Sequence, residues 1–173
     1  MNRMFCHAYS FNQPINKWNV SNVKNMEYMF RETSFNSDIS DWNVSNVKNM
    51  DYIFYGTEFN QDISNWDVSN VVNMSRMFAN ARFFNSPLDS WEVNKVEDMS
   101  EMFLNAIRFD QTLENWQVGE VINMSGMFKN AQRFNKPLNN WTVDKVENMS
   151  EMFRATRLFD QPLDNWQVGN VTN

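Results

Sequence analysis

Seven tryptophans divide the chain into units of nearly equal length, and this repeat limits what the chain can fold into. Neighbouring tryptophans are about 25 residues apart, a spacing typical of repeat proteins. Two Met ladders, one of them interrupted by Ile53, and two Phe ladders keep the same period. Because one unit of this length cannot enclose a core alone, the units are expected to stack on one another. The tryptophans are Trp18, Trp42, Trp66, Trp91, Trp116, Trp141 and Trp166.

The period defines the predicted domain organisation. No linker or change of composition interrupts it, so we expect one repeat domain over residues 1–173, as part of a longer protein. Units two and three are one residue shorter, and the missing residue lies between the two Phe positions, where a loop can absorb it. The units are 1–25, 26–49, 50–73, 74–98, 99–123, 124–148 and 149–173.

Charge and composition exclude several partner classes. The net charge is -6 and no basic stripe is evident in the sequence, which predicts that nucleic acid is not a partner. A single cysteine rules out an intrachain disulfide. No apolar run approaches the ~18 residues of a membrane span. The N-terminus reads as repeat sequence rather than as a signal peptide. Both a cytosolic protein and a fragment of a longer secreted chain remain open.

The first half of each unit has the pattern of a short helix. In unit five, residues 98–101 resemble a capping box, in which Asp98 would be the N-cap. Met99, Met102, Phe103 and Ala106 follow at helical spacing and predict one apolar face over about two turns. Asn or Asp precedes the Met in the other units as well, so capping is expected throughout. A glycine in such a helix, at position 126, is expected to weaken it.

The second half of each unit has the pattern of a short strand. Unit four reads L-x-x-W-x-V-x-x-V, which places Trp91 and Val93 on one face and Glu92 on the other. Stacked copies of this strand predict a parallel sheet. The residues thus predict an α/β fold of seven strand–turn–short helix units.

The full unit resembles a known repeat family. Its pattern, F-N-x-P-L-x-x-W-x-V-x-x-V-x-N-M-x-x-M-F, is similar to the BspA-like leucine-rich repeats of bacterial surface proteins, also described as a mycoplasma lipoprotein repeat of unknown function. Val stands where leucine-rich repeats usually carry Asn. The resemblance implies a right-handed leucine-rich-repeat solenoid. It also implies a place at the cell surface or in a secreted chain, and a role in adhesion.

The recurring aromatic and Met residues are predicted to form the hydrophobic core rather than a binding site. The Trp ladder could form a glycan-binding stripe, but its period-two spacing with Val favours burial, with each indole N–H bonded to a neighbouring unit. The Met ladders could bind a soft metal, but their apolar helical spacing favours core filling. Cys6 and His7 are adjacent, yet no third group orients them as a nucleophile pair. We predict no catalytic, cofactor or metal residues, and therefore no enzyme.

The outward positions beside each Trp form the candidate interaction face. They are polar, mildly acidic and vary between units, and extended faces of repeat proteins commonly bind ligands. We predict a non-enzymatic scaffold for a protein or cell-surface ligand. The alternative is a structural spacer, or a unit that associates end to end. The face consists of Asn19, Asn43, Asp67, Glu92, Gln117, Thr142, Gln167, Asp41, Asn65, Ser90 and Asn115.

Overall fold

The repeat units stack, but their backbone is neither helix nor sheet. The computed structural model describes residues 1–173. No residue is in an α-helix, and β-structure is confined to isolated parallel bridges between successive units. The predicted α/β fold, a leucine-rich-repeat solenoid of strands and short helices with one parallel sheet, is therefore wrong. The bridges pair Asn25 with Asn49, Asn49 with Asn73, Asn73 with Asp98, Asp98 with Asn123, and Asn123 with Asn148.

Runs of turns replace the predicted helices. In unit five this run is 100–105, and Glu101 and Asn105 within it have φ of 53° and 56°. Two left-handed residues, four apart, cannot be part of a right-handed helix. The N–H groups of Glu101 and Phe103 donate instead to carbonyls of the next unit, at 2.8 and 2.9 Å. Backbone donors that a helix would satisfy internally therefore join the units together. The equivalent runs are 2–7, 27–32, 51–56, 75–80, 125–130 and 150–155.

The residues predicted to be helix N-caps form Asx turns instead. The Asp98 carboxylate accepts the backbone N–H of Ser100 at 2.8 Å, two residues ahead, which is an Asx turn. The same contact recurs at each of the five other junctions. The prediction that these side chains satisfy a backbone donor is confirmed, but the helix that they were expected to cap is absent.

Turns also bound the segment predicted to be a strand. The N–H of Trp91 donates to the carbonyl of Leu88, and that of Val96 to the carbonyl of Val93. The residues between these turns form no bridge and no backbone hydrogen bond with the neighbouring units. The parallel sheet predicted from W-x-V is absent for this reason.

The predicted core positions are confirmed in the inner units, whereas Met4, Trp18 and Val168 of the two end units are exposed. One apolar cluster of 46 buried residues runs through the stack. Two Phe columns run along it, and the paired rings of one unit, such as Phe78 and Phe84, stack with centroids 3.8 Å apart. Each of the last six tryptophans donates its indole N–H to a carbonyl of the preceding unit, as Trp91 does to Ile63 at 3.0 Å. These contacts explain why Trp and Phe recur at fixed positions.

An Asn/Asp ladder adds a second set of links between units. The side chain that follows the second Phe accepts the backbone N–H of its counterpart in the next unit, as Asn60 does from Asn85 at 2.7 Å. The ladder is continuous over all six junctions. No segment forms a helix with the length and apolar character needed to cross a membrane.

Candidate functional site

The candidate interaction face consists of eleven polar positions beside Trp. We call these eleven positions, which are the seven residues directly after Trp and the residue directly before Trp in units two to five, the W-x-V face. All eleven side chains are exposed, while the intervening tryptophans from Trp42 to Trp141 are at most 3 % exposed. The turn that begins each segment and the buried Trp thus hold a row of polar side chains outward, one step per unit.

The face differs between its two halves. In units one to three, the residue after Trp is Asn or Asp, and its side chain accepts hydrogen bonds from a Ser two residues on. Those oxygens are therefore occupied locally. In units four to seven, Glu92, Gln117, Thr142 and Gln167 make no side-chain hydrogen bond. The side chain directly after Trp is therefore free of internal hydrogen bonds only in this second half.

Two adjoining clefts lie at the centre of the W-x-V face. The larger, about 520 Å³, is lined by Glu92, Asn115 and Gln117. The smaller, about 290 Å³, is lined by Asn65, Asp67 and Glu92. Ser90 and Glu92 belong to both, so the clefts form one polar groove across units three to five. Asn19, Asp41, Asn43, Thr142 and Gln167 lie on the same face but outside the groove.

Acidic groups continue beyond the groove. A neighbouring cleft of about 410 Å³ is lined by Asp38, Asp62 and Asn65. Hydrogen bonds from the backbone N–H groups of Ser40 and Ser64 lower the pKa of Asp38 and of Asp62, so both carboxylates are held charged. The Asn115 N–H donates to the Asp89 carboxylate at 3.0 Å, on the wall of the larger cleft. This surface can bind polar ligands through hydrogen bonds, but it carries no pairing of an acid with a base.

A cluster of tyrosine and arginine side chains is a second feature, which sequence reasoning missed. Tyr28 and Tyr52 stack with centroids 4.4 Å apart on the turn runs of units two and three. The Arg31 guanidinium lies 5.2 to 5.8 Å from three tyrosine rings, including Tyr55. Arg76 adds a cation–π contact to Tyr52 and an ion pair to Glu101. The sequence signal was that three of the four tyrosines lie in two adjacent units.

Asp51 lies beside this cluster without a counter-charge. Burial of its carboxyl group, followed by the nearby charge of Glu27, raises the pKa of Asp51 to about 6. One of its carboxylate oxygens is buried and accepts no hydrogen bond. At the same repeat position units four to seven carry Ser, and two of these, Ser75 and Ser100, bond to each other at 2.9 Å. The ionised carboxylate is therefore the unfavourable residue at this position.

Comparison with known proteins places the chain in a family. The chain matches the family described as "Mycoplasma protein of unknown function, DUF285" over residues 1–91 and 81–173. The chain belongs to this family. No curated protein and no solved structure matches it.

Membership in the DUF285 family supports part of the resemblance drawn from the sequence. It establishes a repeat family of unknown function, and the two matching segments together cover every unit. It does not extend to the leucine-rich-repeat architecture, which the turn-rich backbone contradicts.

Replacement of Asp51 by Ser, the residue that other units of this DUF285 chain carry, is expected to stabilise the fold at neutral pH. The folded-state pKa is raised, so protonation favours the folded state, and wild-type stability rises as the pH falls from about 7 to about 4. The shift corresponds to about 3 kcal/mol, which partial solvent exposure reduces to about 1 kcal/mol.

Urea unfolding at pH 7.5 and pH 4 measures this effect. Asp51→Ser should be more stable than the wild type by about 1 kcal/mol at pH 7.5 and should lose that advantage at pH 4. A gain that is equal at both pH values would show that the charge of Asp51 is not its cause.

Proposed function

We propose that the chain is a non-enzymatic repeat scaffold that binds a protein or cell-surface ligand through the W-x-V face. The observation that supports this function is the polar groove in which Asp67, Glu92 and Gln117 converge. Its side chains offer hydrogen-bond donors and acceptors on a rigid base, because the Trp between them is buried and bonded to the preceding unit.

The narrower resemblance to BspA-like surface proteins supports adhesion as the biological setting. In that setting the ligand is a polar component of another cell or of its matrix, and the chain is displayed at a cell surface or secreted as part of a longer protein. A groove without exposed aromatic anchors suits a modest affinity, because strong protein-binding sites concentrate Trp, Tyr and Arg.

An array of purified matrix proteins and glycans tests the role of this face. We expect a ligand bound by the wild type to bind at least about tenfold more weakly to Glu92→Lys/Gln117→Lys, because both side chains enter the groove. The control, Gln13→Lys/Glu97→Lys, makes the same change in charge at exposed positions outside the groove. Equal loss in both variants, or no binding by the wild type, would count against the proposal.

The second candidate function is a spacer or end-to-end assembly. The contact between one unit and the next is the observation that favours it, because the same backbone bonds and Phe columns recur at successive junctions. Two copies of the chain could form the same contact between them. Light scattering over a concentration series tests this, and a mass that stays monomeric at high concentration would reject self-assembly.

A further inference from the structure

Four arginines lie along one edge of the second half of the stack. They occupy two-residue turns at 82–83, 107–108, 132–133 and 157–158, which directly precede the second Phe of units four to seven. We call these eight residues the arginine edge. The Phe rings beside it are spaced by 5.9 to 6.0 Å per unit, so the edge extends over three such steps. Its arginines are Arg82, Arg108, Arg133 and Arg157.

The extra residue of the longer units makes room for this edge. Units two and three have only four residues between the two Phe positions, and there buried Thr33 and Thr57 bond back to the backbone of the preceding turn. Units four to seven have five residues in this loop, and the longer loop contains the two-residue turn described above. Unit one also has the longer loop, but it carries Tyr9 and Ser10 there and no arginine. The edge is therefore confined to the second half of the stack.

The four guanidinium groups of the edge are unpaired. The chain has eight arginines, and the other four each form an ion pair with a glutamate. None of the four on the edge forms a salt bridge or donates a side-chain hydrogen bond. Acidic residues are plentiful, with 21 in the chain, yet none lies within the edge. Uncompensated positive charge is therefore concentrated here on a protein of net charge -6.

Apolar side chains are interleaved with these arginines. Phe83 is 46 % exposed and Leu158 is 58 % exposed, while Ile107 is half-buried. The Arg108 guanidinium lies 4.9 Å from the Phe83 ring centroid, which shows that the turns of adjacent units are side by side. The edge thus combines a row of cations with protruding hydrophobic groups.

We propose that the arginine edge binds the surface of an anionic lipid bilayer. Arginine recognises phosphate oxygens through paired N–H donors, and Phe and Leu enter the boundary between headgroups and acyl chains. The turns recur once per unit at the same repeat position, so the four arginines can contact one surface together. Each arginine near such a surface strengthens binding by roughly fivefold. This membrane contact is independent of the W-x-V face, which lies at different turns of each unit.

Sedimentation of the 173-residue chain with lipid vesicles tests the proposal. One set contains phosphatidylcholine alone and the other contains phosphatidylserine as about one third of its lipid. We expect the wild type to bind only the anionic vesicles and to dissociate as salt is raised. Binding should fall by at least about fiftyfold in R82Q/R108Q/R133Q/R157Q.

Two further variants separate the contribution of the arginine charges from that of the apolar side chains. K17Q/K24Q/K48Q/K95Q makes the same change in charge at exposed lysines outside the edge and should retain binding within about threefold. F83S/L158S keeps every charge and should weaken vesicle binding by roughly tenfold through lost apolar burial. No binding of the wild type to anionic vesicles, or an equal loss in the lysine variant, would overturn the proposal.

Heparin and single-stranded DNA distinguish a lipid surface from a soluble polyanion. If the wild type binds either of them but not the vesicles, the edge is a polyanion site and the lipid assignment is wrong. If F83S/L158S binds anionic vesicles as well as the wild type does, the apolar side chains have no role, which also overturns the assignment. Near-UV circular dichroism of each variant verifies that the stack is intact.

Discussion

Trp91→Ala is expected to destabilise the fold by about 3–5 kcal/mol, the largest effect of any single substitution considered. Trp91 is 2 % exposed and stacks on Trp116 with centroids 6.4 Å apart. Truncation leaves a cavity between units and removes one of the two donors to the Ile63 carbonyl, which accepts the indole N–H at 3.0 Å. Urea unfolding followed by far-UV circular dichroism measures the loss.

Two variants show which part of the Trp91 contact matters. Trp91→Phe keeps most of the packing and removes only the indole donor, because the Ile63 carbonyl still accepts the backbone N–H of Trp66 at 3.0 Å. It should cost about 0.5–1.5 kcal/mol. Trp18→Ala is the control, because Trp18 is 37 % exposed and makes no indole hydrogen bond. Its loss should be near ~1 kcal/mol. A loss at Trp18 as large as that at Trp91 would contradict the core role inferred from the stack.

The stacking of the units and the composition of the core could be predicted from the sequence, because both depend on the repeat period. A side chain that recurs once in every unit meets its own copies when the units stack, whatever the backbone conformation is. Trp, Met and Phe therefore appeared as core, and the residues beside Trp as surface. The exposure of the W-x-V face follows from the same alternation.

The backbone could not be predicted in this way, because two structures share the same apolar spacing. Met99, Met102 and Phe103 fit one face of a helix, yet they also fit a turn run in which Glu101 and Asn105 are left-handed. The helix would satisfy its N–H groups internally, whereas the turn run donates them to the next unit. The turn run is favourable only because a neighbouring unit accepts these hydrogen bonds. The apolar spacing within a single unit carries no information about that neighbour.

The arginine edge and the Tyr–Arg cluster were missed for a related reason. Arg82, Arg108 and Arg133 each lie in a different unit, so no short window of the sequence contains a basic run. A search for basic stripes must instead be made down the columns of the aligned units. The two columns before the second Phe would together have shown the arginines, and the column two residues after the first Met would have shown Tyr28 and Tyr52.

Gly126→Ala is expected to destabilise the protein by about 1–2 kcal/mol, the opposite of what the predicted helix required. Gly126 has φ of 59°, so it occupies the first left-handed position of its turn run. A Cβ at this position would lie 3.1 Å from the Glu101 side chain, which is closer than an ordinary contact. In a helix the same substitution would instead stabilise the protein by about 1 kcal/mol. The sign of the change therefore distinguishes the two backbones.

Gly119→Ala is the matched control for Gly126→Ala. Gly119 has no positive φ, and no atom lies within 4 Å of a Cβ built on it. The substitution should be neutral or stabilising by up to about 1 kcal/mol, because alanine reduces the freedom of the unfolded chain. Thermal and urea unfolding of both variants make the comparison. If Gly126→Ala were as well tolerated as Gly119→Ala, the left-handed turn run would not be the conformation of this segment in solution. Each of the seven turn runs has a residue of positive φ at the same place, among them Arg76 and Glu101, so the result at Gly126 bears on the backbone of the whole stack.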